Sequence, residues 1–274
     1  MKRKFPSALR QRKAHPTVTA MLCGLLITVA AVATSGSPAT SREIVDRMIA
    51  AHGGMDAWAG APTVSFEDEW RMGDAASGNV SRVTVEQGQR RAYIDYPGSD
   101  MRMAWDGSRA WSENWQAKAP PRFLALLNYY FLNLPWLTRD PGVILAPPQT
   151  GQLWDDPVQY LKIRMTFDSG TGDTPDDYYV LYIDPQTYRL KACEYVVTYR
   201  DLLPEGVEAS QPHVLVYDEY VDVDGLLVPS RFTIYELDRS VYASCWISDW
   251  SFSNTFDASR MTMPAGATVD ESKP

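Results

Sequence analysis

The strongest constraint on the fold is a long series of short segments in which apolar and polar residues alternate. They run from residue 64 to residue 252, and turn-forming pairs such as Asp106-Gly107 and Asp224-Gly225 separate them. Alternation with a period of two is typical of β-strands, and an Asp-Gly pair between two such segments is a strong hairpin signal. Long crossover helices are absent from this pattern. The sequence therefore predicts about ten antiparallel strands in one meander.

A helix is predicted before the strands. Thr40 and Glu43 stand three apart as in a capping box, and apolar residues then recur at helical spacing before two glycines. Glycine accepts the left-handed backbone conformation that ends many helices. We expect a helix that starts at residue 41 and a short second turn over residues 55–58. His52, at the end of the helix, is interpreted as a structural residue near the last carbonyl groups.

The first forty residues differ from the rest of the chain. They hold six basic and no acidic residues, and an uncharged apolar run extends from Ala20 to Ala33. A basic start, a short apolar run and a small-residue end are typical of a secretory signal peptide. We predict a signal peptide over 1–33, which includes Cys23, and a short linker over 34–40. An uncleaved N-terminal anchor is the alternative, although a membrane span takes roughly 20 apolar residues.

The charge of the remaining chain limits its partners. The whole chain has a net charge of -8, and without residues 1–40 this becomes -14. Such an acidic protein repels nucleic-acid phosphates and anionic lipid headgroups, so we predict no nucleic-acid role. We predict an exported protein of the periplasm or another extracytoplasmic space, associated with a membrane if the leader is not cleaved. Cys193 and Cys245 are compatible with a disulfide there, and equally with two buried thiols.

Several strands are apolar on both sides. In the segment 178–183 both sets of alternating residues are apolar, and in the last strand Trp246, Trp250 and Phe252 are expected to share one side. A sheet with one wet face alternates more cleanly, so both faces require cover. We expect the N-terminal helix to cover one face and the segment 124–137 to close the other.

The segment 124–137, "LALLNYYFLNLPWL", carries no charge and four aromatic residues. It is too short to span a membrane as a helix, and Pro135 is expected to break the helix near its end. Three interpretations remain open: a helix of the core, a lid over a bound ligand, and, ranked third, an exposed lid that docks on a membrane or a partner.

No catalytic or metal-binding motif occurs in the sequence. Adjacent acidic residues at 155–156 and 176–177 lie beside prolines in predicted turns, where solvated carboxylates are usual. The segment "DVDG" at 222–225 resembles the start of a calcium loop, but Tyr220 and Arg231 stand where that loop needs acids. We interpret it as a hairpin turn. The polar loop 168–177 is the first place to look for a bound ion, and His213 is interpreted as structural.

The order of several segments is similar to that of a known family. These are "AHGGMDAW", "NYYFLNLPWLTRDPGV", "VDGLLVPSRFTIYE" and "FDASRMTMP", within residues 41–264. The chain resembles an uncharacterised family of exported bacterial proteins related to the lipoprotein-carrier (LolA/LolB-like) superfamily. The resemblance implies a mainly β fold with few helices, an open antiparallel β half-barrel wrapped around an N-terminal helix and an apolar helical lid. It also implies an apolar cavity for acyl chains. We expect one such domain over 41–264 and a flexible C-terminal tail over 265–274.

These observations predict an extracytoplasmic protein that binds or carries an apolar ligand, either a lipid or the acyl chain of a lipoprotein, without catalysis. It is expected to be a monomer without cofactor or metal, with a lipoprotein or membrane acceptor as partner. The alternatives are an envelope module that binds glycan or protein, for which exposed rings in a line are expected, and a hydrolase. The residues predicted to line the ligand site are Leu127, Tyr130, Phe131, Trp136, Trp70, Trp105, Tyr178, Tyr182, Trp246 and Trp250.

Overall fold

The structure, a computed structural model, describes residues 39–253 and 255–274. The predicted signal peptide, its cleavage and Cys23 lie outside the described residues. The helices are α1 (Ser41–Ala51), α2 (Met55–Ala59) and α3 (Pro121–Leu137). The strands are β1 (Thr63–Met72), β2 (Asn79–Glu86), β3 (Arg91–Asp95), β4 (Arg102–Trp105), β5 (Ala110–Glu113), β6 (Val143–Leu145), β7 (Gln149–Gly151), β8 (Tyr160–Phe167), β9 (Tyr179–Ile183), β10 (Leu190–Tyr195), β11 (His213–Val223), β12 (Leu226–Tyr235), β13 (Val241–Ser253) and β14 (Thr268–Val269).

The strands form one antiparallel sheet in the order β14-β5-β4-β3-β2-β1-β13-β12-β11-β10-β9-β8-β6, with β7 paired to β8. The sheet is open, because β14 and β6 lie at opposite ends of this order. This confirms the predicted mainly β, open antiparallel fold with few helices. The sheet consists of two meanders joined where β1 pairs with β13, and α3 connects the two meanders in sequence and packs on strands of both.

The strand count exceeds the prediction because three short strands lie at or near the ends of the sheet. One of them, β6, lies in a proline-containing segment where no strand is indicated by the alternation of residues. Its three residues pair with the end of β8, where backbone pairing needs no long apolar run. The hairpins at Asp106-Gly107 and Asp224-Gly225 are present, each between consecutive strands.

Helix α1 is capped as predicted and is joined to the sheet by His52. The Thr40 hydroxyl accepts a hydrogen bond from the Glu43 amide, and the Glu43 carboxylate accepts one from the Thr40 amide at 2.7 Å. His52 is fully buried; its Nδ1 donates to the Leu227 carbonyl at 2.8 Å, and its Nε2 accepts from the Leu190 amide at 3.2 Å. Burial lowers the pKa of His52 to about 4, so the ring is neutral near pH 7. It is a structural residue.

The two faces of the sheet are covered differently from the prediction. The three helices all pack on one face, here called the inner face, in a cluster that also holds Leu181 and Cys193. On the other face, the outer face, Tyr182 and Ala192 pack beneath a segment that includes Leu153. The prediction that α1 and the segment 124–137 cover opposite faces is therefore wrong. The loop before β8 covers the second face instead, where only a few strands are apolar on both sides.

The segment 265–274 is bound to the domain along its length, in contrast to the flexible tail expected there. Strand β14 pairs with β5, and the Asp270 amide donates to the Ala110 carbonyl at 3.0 Å. The Ser272 hydroxyl contacts the hydroxyl of Tyr199 at 2.6 Å. The last residues of the chain thus complete one edge of the sheet.

Cys193 and Cys245 are free, buried thiols. They lie on β10 and β13, which β11 and β12 separate in the sheet. Of the two alternatives, the structure therefore has the buried thiols. Within residues 39–253 and 255–274, no helix has both the length and the apolar character needed to cross a membrane.

Candidate functional site

Helix α3 has two parts that differ in burial. Every residue from Phe131 to Leu137 is buried, whereas Ala125 and Tyr129 are the buried residues between 122 and 130. We call residues 121–130 the N-terminal half and residues 131–137 the C-terminal half. Four apolar side chains of the N-terminal half are only half-buried, although three of them pack against the inner cluster: Phe123, Leu124, Leu126 and Leu127.

The C-terminal half continues through Pro135 because the sheet supplies a substitute hydrogen bond. Proline has no N–H, so the carbonyl of Phe131 lacks its helical partner. The Tyr217 hydroxyl donates to that carbonyl at 2.6 Å in the buried interior. The prediction that Pro135 breaks the helix is therefore wrong, and α3 extends to Leu137.

Two tryptophans also fix the C-terminal half to the N-terminal part of the domain. The Trp58 indole donates to Asn133 Oδ1 at 2.9 Å, and the Trp136 indole donates to the Gly54 carbonyl at 3.0 Å. Their rings are stacked with centroids 5.9 Å apart. Buried rings whose N–H groups are satisfied hold an element in one position.

The N-terminal half has weaker attachments. The Arg122 amide donates to an Asp270 carboxylate oxygen at 2.7 Å, and the Arg122 guanidinium forms two hydrogen bonds to Asp173 at 2.6 and 2.7 Å. Both side chains of that ion pair are partly exposed, and such pairs contribute only about 0–1 kcal/mol. At the boundary between the halves, the Tyr129 hydroxyl accepts from Arg90 at 2.7 Å and donates to Gln87 at 3.1 Å.

The structure brings seven of the ten predicted lining residues to the inner face. They are buried in the inner cluster or pack against it: Leu127, Tyr130, Phe131, Trp136, Trp70, Trp105 and Trp250. The other three lie on the outer face. Tyr182 belongs to the outer cluster, the guanidinium of Arg164 lies 3.7 Å from the ring centre of Tyr178, and that of Arg71 lies 4.0 Å from the ring of Trp246.

A β-bulge explains why Trp246 and Trp250 do not share a side. The register between β13 and β1 shifts between Ser65 and Glu67, opposite Asp249, whose φ is +51°. An extra residue reverses the alternation of side chains beyond it. Consequently Ile247 and Trp250 both face inward, although their positions differ by an odd number, and Trp246 faces outward.

The protein's own side chains fill the space between the C-terminal half and the sheet. Leu132, Leu134 and Trp136 of the helix, and Met103 and Phe232 of the sheet, are less than 2% exposed. Side chains that are enclosed this completely leave no room for a second molecule beside them. An acyl chain can reach this face only if side chains move, and the half-buried apolar side chains of the N-terminal half of α3 are the least enclosed ones on this helix.

Two clefts lie near the N-terminus of α3, with volumes of about 580 and 500 Å³. The first lies between Trp115, Pro121 and Asp270, and the second beside Tyr96 and Glu113. Both are open grooves with many polar groups. Neither is the enclosed apolar cavity that the resemblance implies.

A polar site that sequence analysis missed lies on the inner face, against the N-terminal half. Asp68 is 1% exposed, and its carboxylate accepts a hydrogen bond from the Ser81 hydroxyl at 2.5 Å and another from the Asn128 amide. The nearby Arg71 and Arg82 pair with other acids. Burial raises the pKa of Asp68 to about 6, against the effect of its hydrogen bonds. The sequence did indicate this position, because the alternation in β1 places Asp68 on the same side as the inward apolar residues.

His52 and the two cysteines, which a hydrolase could use, are enclosed in the fold. Both ring nitrogens of His52 are engaged, and burial raises the pKa of both cysteine thiols above the usual range. His213 stacks on Tyr195 in the partly buried surface beside β11. Within the described residues there is no cluster of three or more His, Cys, Asp or Glu side chains suited to a metal ion. In the loop 168–177, Asp177 accepts hydrogen bonds from Thr198 and is thus used within the fold.

A glycan-binding groove requires a line of exposed rings. Tyr242 is the exposed aromatic residue within 39–253 and 255–274. One ring does not make a line, so the aromatic residues do not favour this alternative.

Comparison with known proteins agrees with the fold. No family model matches the chain, and no curated protein matches its sequence. The structure is similar to that of the LolA superfamily protein NE2245 from Nitrosomonas europaea, with a TM-score of 0.52 and 12% identity over 82% of this chain and 99% of that one. It is also similar to a DUF1329 family protein from Desulfovibrio piger, with a TM-score of 0.51 and 9% identity over 81% of this chain and 96% of that one. At this identity the likenesses concern the fold alone, and they confirm the open antiparallel fold that the resemblance implied.

Proposed function

We propose that this LolA-like domain binds an apolar ligand outside the cytoplasm, a lipid or the acyl chain of a lipoprotein, and carries it without chemical change. The observation that carries the proposal is the difference between the two halves of α3. A C-terminal half that is buried at every residue and an N-terminal half whose apolar side chains are only half-buried are the features of a lid that opens over an apolar surface.

The closed structure fits a lid that rests on its own side chains when no ligand is bound. The half-exposed Leu124 and Leu127 then cover the inner face that an acyl chain would cover in the bound state. A chain of about fourteen methylenes contributes roughly 11 kcal/mol on burial, and association costs remove at least about 4 kcal/mol. Opening the lid costs further free energy and so lowers the affinity further. Moderate affinity of this kind suits a carrier, which must release its ligand.

Native mass spectrometry of the full chain tests the proposal. We expect a lipid adduct after mild purification, or a complex after addition of dodecanol, with a change in tryptophan fluorescence. Leu127→Asp places a charge on the lid and is expected to weaken dodecanol binding at least tenfold. The control is Leu237→Asp, because Leu237 is 57% exposed in a turn, and it is expected to bind within twofold of the unchanged protein. The proposal is wrong if no lipid co-purifies and dodecanol does not bind, or if Leu127→Asp and Leu237→Asp bind dodecanol equally.

A further inference from the structure

The polar site at Asp68 lies within an aromatic part of the inner face. Asp68 is on β1 between Phe66 and Trp70, which face the same way because side chains alternate along a strand. Phe66 packs on Trp250 with centroids 4.9 Å apart, and Trp70 packs on Phe232 at 5.4 Å. A buried carboxylate is costly in such surroundings unless a cation pairs with it.

The hydrogen bonding of the site is incomplete. Ser81 is opposite Asp68 in the sheet and donates to it, and Asn128 donates to it from the lid. The other amide atom of Asn128, Oδ1, is buried without a hydrogen-bond partner in the described part of the chain. A buried acceptor without a donor costs about 1–3 kcal/mol, so a missing donor is implied. The site therefore has two acceptors, the Asp68 carboxylate and Asn128 Oδ1, and the Asn128 amide connects them.

We propose that Asp68 and Asn128 recognise the primary ammonium group of an amphiphile whose alkyl chain lies beneath the N-terminal half of α3. An ammonium group carries a positive charge that pairs with the Asp68 carboxylate. Its three N–H donors are enough for the carboxylate and for Asn128 Oδ1. The aromatic rings beside Asp68 also favour a cation. This inference rests on the proposed function and specifies its ligand class. Asn128 belongs to the lid, so ligand recognition and lid position are coupled at one residue.

Four amphiphiles with the same twelve-carbon chain separate the contributions. Dodecylamine has charge and donors, dodecyltrimethylammonium has charge without donors, dodecanol has a donor without charge, and dodecanoate has the opposite charge. With the full chain near pH 7.5, we expect dodecylamine to bind at least tenfold more tightly than each of the other three. Addition of dodecylamine is also expected to shift the Asn128 side-chain amide signals in NMR spectra.

The matched variants are Asp68→Asn and Glu67→Gln. Asparagine at 68 keeps the shape and accepts from Ser81, and a flip of the Asn128 amide lets its Oδ1 accept from the new amide, so the fold is expected to persist, as circular dichroism would check. It should remove the preference for dodecylamine over dodecanol. Glu67 is the next residue along β1 and pairs with Arg82, so Glu67→Gln removes the same charge outside the site and should keep the preference.

The outcomes distinguish the two proposals. If all four compounds bind equally, or if Asp68→Asn keeps the preference, the ammonium site is wrong and the apolar carrier remains. If Glu67→Gln loses the preference as well, the general negative charge of the protein is the cause and the site is again wrong. If none of the four binds, the carrier proposal fails, and the ammonium site with it.

Discussion

The two halves of α3 have similar apolar sequences but different environments. The C-terminal half donates or accepts hydrogen bonds through Phe131, Asn133 and Trp136, and the partners come from β11 and from the region of α2. The N-terminal half is held at its start by Asp270 and a partly exposed ion pair, and at its end by hydrogen bonds of Asn128 and Tyr129, but most of its apolar side chains are only half-buried. Apolar composition therefore does not decide whether a helix is core or lid. The partners of its polar groups and the exposure of its side chains decide it.

The largest expected effect is on stability, when a buried residue of the C-terminal half of α3 and a half-buried residue of the N-terminal half are each changed to alanine. Trp136→Ala removes a fully buried ring and should lower the free energy of unfolding by about 3–5 kcal/mol. Leu124→Ala, in the half-buried part of the same helix, should cost less, about 1 kcal/mol, because part of its side chain stays in contact with water and its removal leaves no closed cavity. Urea unfolding followed by circular dichroism measures both. Equal costs would mean that the two halves are equally part of the core.

The pKa of His52 and its effect on stability test whether water is excluded around the C-terminal half. The ring of His52 lies 6.0 Å from that of Trp136. Its pKa in the folded protein is lowered to about 4 from the usual 6.5, so the stability that it contributes is complete above pH 6.5 and is lost as the pH falls through 4. The loss amounts to at most about 3 kcal/mol. NMR titration should show a neutral imidazole down to about pH 5, and a midpoint near 6.5 would contradict this environment.

Asp68 has the opposite dependence, at the contact between the sheet and the N-terminal half. Its pKa is raised to about 6 from the usual 3.8, so the unfolded chain ionises first and stability is lost as the pH rises from 3.8 through 6. Glu67 on the same strand adds to the shift, and Tyr96 and Cys245 are the other titratable groups near it. Asp68→Asn should therefore stabilise the protein by up to about 3 kcal/mol near pH 7.5 and by little near pH 4. Stabilisation that does not vary with pH would show that Asp68 is not a buried acid.

Tyr217→Phe tests the hydrogen bond that lets α3 pass through Pro135. The variant leaves the Phe131 carbonyl buried without a donor, which should cost about 1–3 kcal/mol. Tyr188→Phe is the control, because the Tyr188 hydroxyl accepts its hydrogen bond from Arg47 at an exposed site and its loss should cost little. If both variants have the same stability, the Tyr217 bond does not hold the C-terminal half.

The smallest effect is expected at Asp270, where the C-terminal segment holds the start of α3. Asp270→Ala should lower global stability by less than about 1 kcal/mol, because it removes one acceptor at a helix N-terminus. Backbone amides of residues 122–127 should nevertheless exchange faster with solvent. Asp257→Ala removes a similar cap from the turn at Ala258–Met261 and should leave α3 unchanged. Unchanged exchange in the Asp270 variant would mean that the segment does not restrain the lid.

Local signals in the sequence predicted the local structure well. The capping box at Thr40 and the Asp-Gly hairpins depend on residues a few positions apart, and each is present. The inward position of Asp68 also followed from alternation alone. The pairing of β1 with β13 did not, because it joins segments that are far apart in the chain.

The predictions that proved wrong depend on contacts between residues far apart in the sequence. The bulge at Asp249 reverses the alternation in β13, and no residue near it in sequence signals that change. Pro135 is tolerated because Tyr217 comes from another part of the fold. The link between Asp68 and Asn128 joins a strand to a helix 60 residues away, so neither residue alone indicates a site.

Hydrogen–deuterium exchange of α3 with and without ligand tests the central claim most directly. In the free protein, the amides of residues 122–130 should exchange at least a hundredfold faster than those of residues 131–137, because a local opening needs less free energy than global unfolding. Saturating dodecylamine should slow exchange in the first group and leave the second unchanged. Equal exchange of both halves, or no response of the first half to a bound amphiphile, would contradict the account of α3 as a lid.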